Sequence, residues 1–287
     1  MPLLLMLFRW DAGLGNGAPV LLVLCLLLAI RSSYEMCLLL KTRAMRPVFE
    51  VTAFCNVLVI LAAWSQARVT GQQDPETELL VTLGLVACAI FVSLLLLLLL
   101  EAIRYRKPGV SSESLGANLL VVMYSGGLLA VLAQFRWFPH PTIGYFAIGS
   151  VIIAVKSGDV MAYTFGRLWG RKKMVPTLSP GKTWMGGLGA LVGGCLGSWL
   201  WLTWGGRLFD ANPSPAGLDC ILGYGITMGA VGLIGDLCES LIKRDMEKKD
   251  SAQLLPGFGG LLDLLDSPLF AAPVAMAWWL FWPPATL

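Results

Sequence analysis

Apolar runs of about twenty residues, separated by short charged loops, repeat along almost the whole chain. A helix crossing the hydrocarbon core of a bilayer needs about 20 mostly apolar residues. Windows of that length fall at 18–40, 47–66, 78–100, 115–137, 144–166, 184–205, 217–239 and 261–282, which predicts eight membrane helices. Arg31 and Glu35 interrupt the first window, the weakest of the set. The loops between windows are short, so the pattern leaves no room for a separate soluble domain. Met1–Phe8 is too short for the apolar region of a signal peptide, and no small-residue cleavage site follows it.

The pattern changes character midway. Through residues 1–143 the helices are rich in Leu and Val, and charge stays in the loops apart from Arg31 and Glu35. That half reads as transmembrane scaffold. Across 144–287, polar and charged residues enter the helices themselves, and this half is expected to carry the chemistry within one integrated membrane domain. Glycine also becomes frequent: Gly186, Gly187, Gly189, Gly193, Gly194 and Gly197 line one predicted helix, and Gly225, Gly229 and Gly232 another. Small residues of this kind let transmembrane backbones approach closely. No internal repeat is visible, which weighs against a transporter built from inverted repeats.

Composition agrees with this reading. Hydrophobic residues make up 56% of the chain, with a mean hydropathy of +0.72 and a single His. These values indicate an all-α polytopic membrane protein rather than a soluble enzyme. The formal net charge of +3 says little by itself, and no nucleic-acid partner is expected. The placement of charge is more informative. Alternate loops collect fifteen of the 21 basic residues on one side: Lys41, Arg43, Arg46, Arg104, Arg106, Lys107, Arg167, Arg171, Lys172, Lys173, Lys182, Lys243, Arg244, Lys248 and Lys249. Only Arg9, Arg68, Arg136 and Arg207 fall on the other, while Arg31 and Lys156 lie within predicted helices. The positive-inside rule makes the richer side cytoplasmic, with both termini outside and the protein in the cell (inner) membrane. The seven cysteines lie mostly in apolar helices without metal spacing and read as small core residues.

Three groups of residues carry candidate chemistry. Lys156, Asp159 and Tyr163 share one helix face, either as a buried ion pair or as part of a polar site. The basic loop after them contains Ser179-Pro180-Gly181-Lys182-Thr183 just before the next helix. Backbone amides at a helix N-terminus, with hydroxyls and a Lys nearby, suit a phosphate, although such a loop could equally hold anionic lipid headgroups. Asp236, Glu239, Ser240 and Lys243 form a stripe on the seventh predicted helix, with Arg244 one position on. Asp263 and Asp266 are spaced i, i+3 on the last. Two carboxylates so close in an apolar setting repel each other unless a cation lies between them, and hard oxygen ligands suit Mg²⁺. Asp236 is the expected third ligand; the alternative for each acid is a helix-end charge satisfied by Lys or Arg. Carboxylates for Mg²⁺ beside several bases imply polyphosphate chemistry. The only His, His140, falls on the opposite side, so no His-based nucleophilic mechanism is available.

Ser240-x-Ile242-Lys243-Arg244, Lys249-Asp250, Leu255-Pro256, Gly259-Gly260, and Asp263 with Asp266 together resemble the signature of the phosphatidate cytidylyltransferases, or CDP-diacylglycerol synthases. Gly235-Asp236, the loop Ser179 to Trp184, and Asp159, Ala162, Tyr163 and Gly166 are also similar to that family's pattern. The match covers roughly residues 150–275; the first half matches only in being apolar and multi-spanning. It departs from the pattern at Phe258, where the family has His, at Leu264, where it has Arg, and at Met185, where an acid or amide is common.

The resemblance implies about eight transmembrane helices around a polar cavity open to the cytoplasm. It implies an enzyme that transfers CMP from CTP to phosphatidic acid, releasing pyrophosphate and giving CDP-diacylglycerol for phospholipid biosynthesis. Mg²⁺ would be held by Asp236, Asp263 and Asp266, with a monovalent cation such as K⁺ as an option. Asp236, Lys243, Arg244, Asp263 and Asp266 would be catalytic, and Asp159, Ser179, Lys182, Thr183, Ser240, Lys249 and Asp250 would bind substrate. A homodimer is compatible with this scheme. The alternatives are a related CTP-dependent lipid kinase or nucleotidyltransferase, and, in a different class, a transporter with an intramembrane ion path.

Overall fold

The computed structural model describes residues 2–41, 45–69, 74–106, 108–209, 213–249, 251–252 and 259–286. The chain is an all-α polytopic membrane protein. Its helices are α1 (Pro2–Ala12), α2 (Pro19–Leu40), α3 (Phe49–Ala63), α4 (Gln66–Val69), α5 (Pro75–Arg104), α6 (Ser111–Val121), α7 (Leu128–Gln134), α8 (Gly144–Trp169), α9 (Trp184–Trp204), α10 (Leu218–Asp245) and α11 (Leu261–Phe281). A π-helical segment, Val122–Gly127, joins α6 to α7 into one continuous span.

Every predicted window contains a helix, and among the described residues seven spans are long and apolar enough to cross a membrane. The remaining window holds α3, which at 15 residues rises only about 22 Å, short of the roughly 30 Å hydrocarbon core. A turn at Trp64 and Ser65 ends it, and α4 follows. The N-terminal helix α1 is too short to span and falls outside the predicted windows. Proline starts α2 and α5, where its missing N–H lacks an intrahelical partner in any case.

Large apolar side chains remain exposed along the outside of the bundle, including Leu80, Phe91, Leu95 and Leu99 on α5. In water such a surface would drive aggregation; facing lipid tails it is at equilibrium. One buried core runs from Phe8 through Val151 and Tyr224 to Ala285, so both halves of the chain contribute to it.

The α8, α9 and α10 helices pack through their glycines. A Cβ on Gly193 would stand 2.3 Å from Ser157 O on α8, and one on Gly194 would stand 2.3 Å from Gly225 O on α10. The glycine stripes are therefore contact faces, α9 using one side for α8 and the other for α10. Two small antiparallel ribbons complete the fold. β1 (Lys173–Val175) pairs with β2 (Ser179–Thr183), with Lys173 opposite Thr183, and β3 (Ser214–Pro215) pairs with β4 (Ala285–Thr286).

Candidate functional site

A cavity of about 660 Å³ is enclosed by α8, the β1–β2 ribbon, and the facing parts of α9, α10 and α11. Its charged lining is balanced: Lys156, Arg167, Lys173, Lys182 and Lys243 against Asp159, Asp236, Glu239, Asp263 and Asp266. Close glycine packing brings the three helices near enough for these side chains to meet. Three of the five bases, Lys156, Lys182 and Lys243, are ion-paired with acids of the lining, which offsets the cost of removing those charges from bulk water.

On α8, Lys156 Nζ donates to Asp159 Oδ2 at 3.0 Å, one turn along the same helix. On the ribbon, Lys182 Nζ lies 2.9 Å from Asp236 Oδ2 of α10 and 3.4 Å from Leu233 O. Lys243 bridges two helices, donating to Glu239 Oε2 at 2.8 Å and to Asp263 Oδ1 of α11 at 2.7 Å. Ser240 Oγ donates to Asp236 Oδ1 at 3.4 Å.

The carboxylates are not equivalent. Asp236, Glu239 and Asp266 each present an oxygen within 4.8 Å of the other two. Glu239 Oε1 is buried and receives no hydrogen bond, and Asp266 is 5% exposed. Lys182 and Lys243 offset part of the repulsion among these three acids, and a cation between them would offset the rest. Their hard oxygen donors fit a divalent ion of the Mg²⁺ type. Asp263 stands outside this group. One of its oxygens is taken by Lys243, while Oδ2 accepts from Gly260 N at 2.7 Å, Ser251 Oγ at 2.9 Å and Ser251 N at 3.1 Å. Asp263 is the third residue of α11 and acts there as the returning half of a capping box.

The ligand set expected from sequence was Asp236, Asp263 and Asp266; the geometry gathers Asp236, Glu239 and Asp266. Glu239 carried a signal in its sequence spacing, three residues after Asp236, as Asp266 is after Asp263. That spacing shows which acids share a helix face but not which one a neighbouring lysine and helix amides will claim.

The other candidate residues divide. Asp159, Ser179, Lys182 and Thr183 line the cavity. Thr183, however, is 4% exposed and its Oγ1 accepts from Gly186 N at 3.0 Å, so its side chain is the N-cap of α9. Arg244 points away from the lining: its Nε donates to Leu178 O at 3.3 Å and its Nη1 to Lys248 O at 3.1 Å, tying the ribbon's turn to the end of α10. Lys249 is exposed and Ser240 buried, and neither lines the cavity. Asp250 and Phe258 lie outside the described residues. Leu264 is 43% exposed, also away from the lining. His140 stands at the start of a short 3₁₀ turn (Pro141–Ile143), where its Nδ1 accepts from Thr142 N.

Comparison with known proteins adds an independent line. Residues 4–282 match the cytidylyltransferase family. The chain is 35% identical over 182 residues to a phosphatidate cytidylyltransferase of Chlamydia pneumoniae, covering 60% of this chain and 56% of that protein. It is 30% identical over 252 residues to one from Pseudomonas aeruginosa, covering 80% of this chain and 88% of that protein. With the Haemophilus influenzae phosphatidate cytidylyltransferase it shares 27% identity over 227 residues, covering 78% and 77%. The chain thus spans little more than half of the Chlamydia relative's length and most of the other two.

Proposed function

This chain belongs to the cytidylyltransferase family, and from that premise we propose that it transfers CMP from CTP to phosphatidic acid within the membrane. The products are CDP-diacylglycerol and pyrophosphate. The single observation carrying this reading is the cavity where the acids of α10 and α11 converge beside Lys182 and Lys243. Relatives that align with up to 88% of their length bear the name phosphatidate cytidylyltransferase, which supports the same substrates.

In the proposed reaction a phosphate oxygen of the lipid attacks the α-phosphorus of CTP in line. One P–O bond forms between them as the bond from the α-phosphorus to the bridging oxygen breaks, and pyrophosphate leaves with that electron pair. No protein nucleophile is needed. Catalysis then rests on positioning and on stabilising charge as it moves.

Lys182, on β2 two residues before α9, supplies a cation to the cavity, and the N-terminus of α9 that follows it is a natural seat for phosphate oxygens. Lys243, Arg167 and Lys173 add positive charge around the same cavity. Asp236, Glu239 and Asp266 are the residues that would hold Mg²⁺. When bound, the ion would supply Lewis-acid polarisation of the phosphates and neutralise charge on the leaving group. Lys156 and Asp159 sit beyond this trio on α8, where they can orient the lipid phosphate. The basic loops would face the cytoplasm, where CTP is available.

The test is incubation of purified protein with labelled CTP, phosphatidic acid and Mg²⁺. The expected result is labelled CDP-diacylglycerol with equimolar pyrophosphate. A lipid product that gains phosphate without cytidine would overturn the proposal in favour of a kinase.

A further inference from the structure

Glu35 and Arg31 break the first apolar run, and neither lines the cavity. Glu35 is 0% exposed, an unusual place for an acid in a membrane helix, and such residues are seldom idle. Its Oε1 lies 3.0 Å from Arg31 Nη2 one turn earlier, which offsets the buried charge. Its Oε2 crosses to the other half of the chain, accepting from Leu262 N at 2.9 Å and from Ser251 Oγ at 3.3 Å.

We propose that Glu35 is a positioning residue: from α2 it fixes the first turn of α11, and with it the placement of Asp263 and Asp266. The proposal rests on the reading of the site given above. The first amides of a helix have no intrahelical acceptor and must find one elsewhere. At α11 two carboxylates divide them. Asp263 takes Gly260 N at 2.7 Å and Glu35 takes Leu262 N, while the Ser251 hydroxyl stands between both acids. Gly260 is the residue that permits this. A Cβ there would lie 2.2 Å from Ser251 Oγ and 2.5 Å from Glu35 Oε2, so only hydrogen fits.

The consequence runs directly into the site. Asp263 holds Lys243, Lys243 holds Glu239, and Asp266 is one turn further along the helix whose start Glu35 anchors. A shift in that first turn moves Asp266 relative to Asp236 and Glu239, and it displaces the Asp263 that holds Lys243 against Glu239. Groups that orient metal ligands in this way commonly change metal affinity or activity by roughly 10–100-fold when removed.

The experiment compares Glu35→Ala, Glu35→Gln and Gly260→Ala in the purified full-length chain. Each variant is followed by Mg²⁺ titration of CMP transfer and by hydrogen exchange of the 251–266 segment. Glu35→Ala and Gly260→Ala are expected to raise the Mg²⁺ concentration for half-maximal rate by roughly tenfold or more, with faster exchange at the start of α11. Glu35→Gln keeps one acceptor oxygen for Leu262 N and should recover part of both losses. If Glu35→Ala does not fold, the other two variants decide. Unchanged Mg²⁺ dependence and unchanged exchange in Glu35→Gln and Gly260→Ala, even with lowered melting temperatures, would overturn the proposal by reducing Glu35 to a packing role. Should the unsubstituted protein transfer no CMP, the proposed activity fails, and the exchange measurement still decides whether Glu35 anchors α11.

Discussion

Lys182 Nζ lies 2.9 Å from Asp236 Oδ2, joining the β1–β2 ribbon to α10 at the heart of the cavity. The lysine side chain is only 14% exposed, so it has little water to fall back on. A residue suited to phosphate is thereby paired with a residue suited to a divalent ion. Binding the ion and the nucleotide together satisfies both groups at once, since each gains an opposite charge in exchange for the other.

Lys182→Gln should therefore weaken CTP binding more than it weakens folding. A charge-assisted hydrogen bond of about 1.5–3 kcal/mol corresponds to roughly 10–100-fold in kcat/KM. Steady-state kinetics with varied CTP checks this. A change in the apparent affinity for phosphatidic acid alone would assign Lys182 to the lipid instead.

Glu239→Gln and Asp263→Asn should behave differently, although both remove a partner of Lys243. Glu239→Gln takes a ligand from the carboxylate trio and should abolish Mg²⁺-dependent transfer, as should Asp236→Asn and Asp266→Asn. Asp263→Asn should keep a measurable Mg²⁺ response but lose stability, because it weakens the cap of α11, trading a carboxylate acceptor for an amide oxygen, and leaves Lys243 with one charged partner. Parallel Mg²⁺ titrations and melting curves separate the two. Identical Mg²⁺ behaviour in both variants would restore Asp263 to the ligand set.

Thr183→Ala should lower stability by about 0.5–2 kcal/mol through loss of the α9 N-cap. Thr183→Ser, which keeps the hydroxyl, should recover most of it. Melting temperature in detergent is the measurement. A large loss of CTP affinity without a stability change would return Thr183 to substrate binding.

Gly194→Ala and Gly229→Ala should each destabilise the bundle by about 1–3 kcal/mol through overpacking. The added methyl would meet backbone in both cases, Gly225 O at 2.3 Å and Ala190 O at 2.4 Å, and backbone cannot rotate aside. Gly84→Ala is the control, with nothing within 4 Å of the added carbon. Thermal unfolding of the three variants side by side tests the contrast.

Leu264→Ala should change CMP transfer by less than about threefold, well under the 10–100-fold expected at residues that orient a bound ion. Its side chain is 43% exposed and directed away from the cavity. Its difference from the family pattern therefore falls on the outer face of α11. A larger drop in turnover would mean that the lipid substrate runs along that face.

Much of this protein was legible in the chain itself. Hydropathy is a local property read over about twenty residues, so each apolar window contains a helix, and the glycine stripes mark where α9 meets its neighbours. The charged residues of the second half could also be assigned to a common site, because the helical repeat sets which of them share a face. Two features could not be read in this way. Whether Asp263 or Glu239 joins Asp236 and Asp266 depends on which oxygens are already claimed by Lys243, Ser251 and the Gly260 amide, groups supplied by three different segments. Nor does the sequence reveal that Glu35 serves the site, since its partner Leu262 is 227 positions away. Sequence determined the helices and their faces through short-range periodicity. Only the folded structure decided the pairing of buried charges, because each carboxylate takes whatever donor long-range packing brings within about 3 Å.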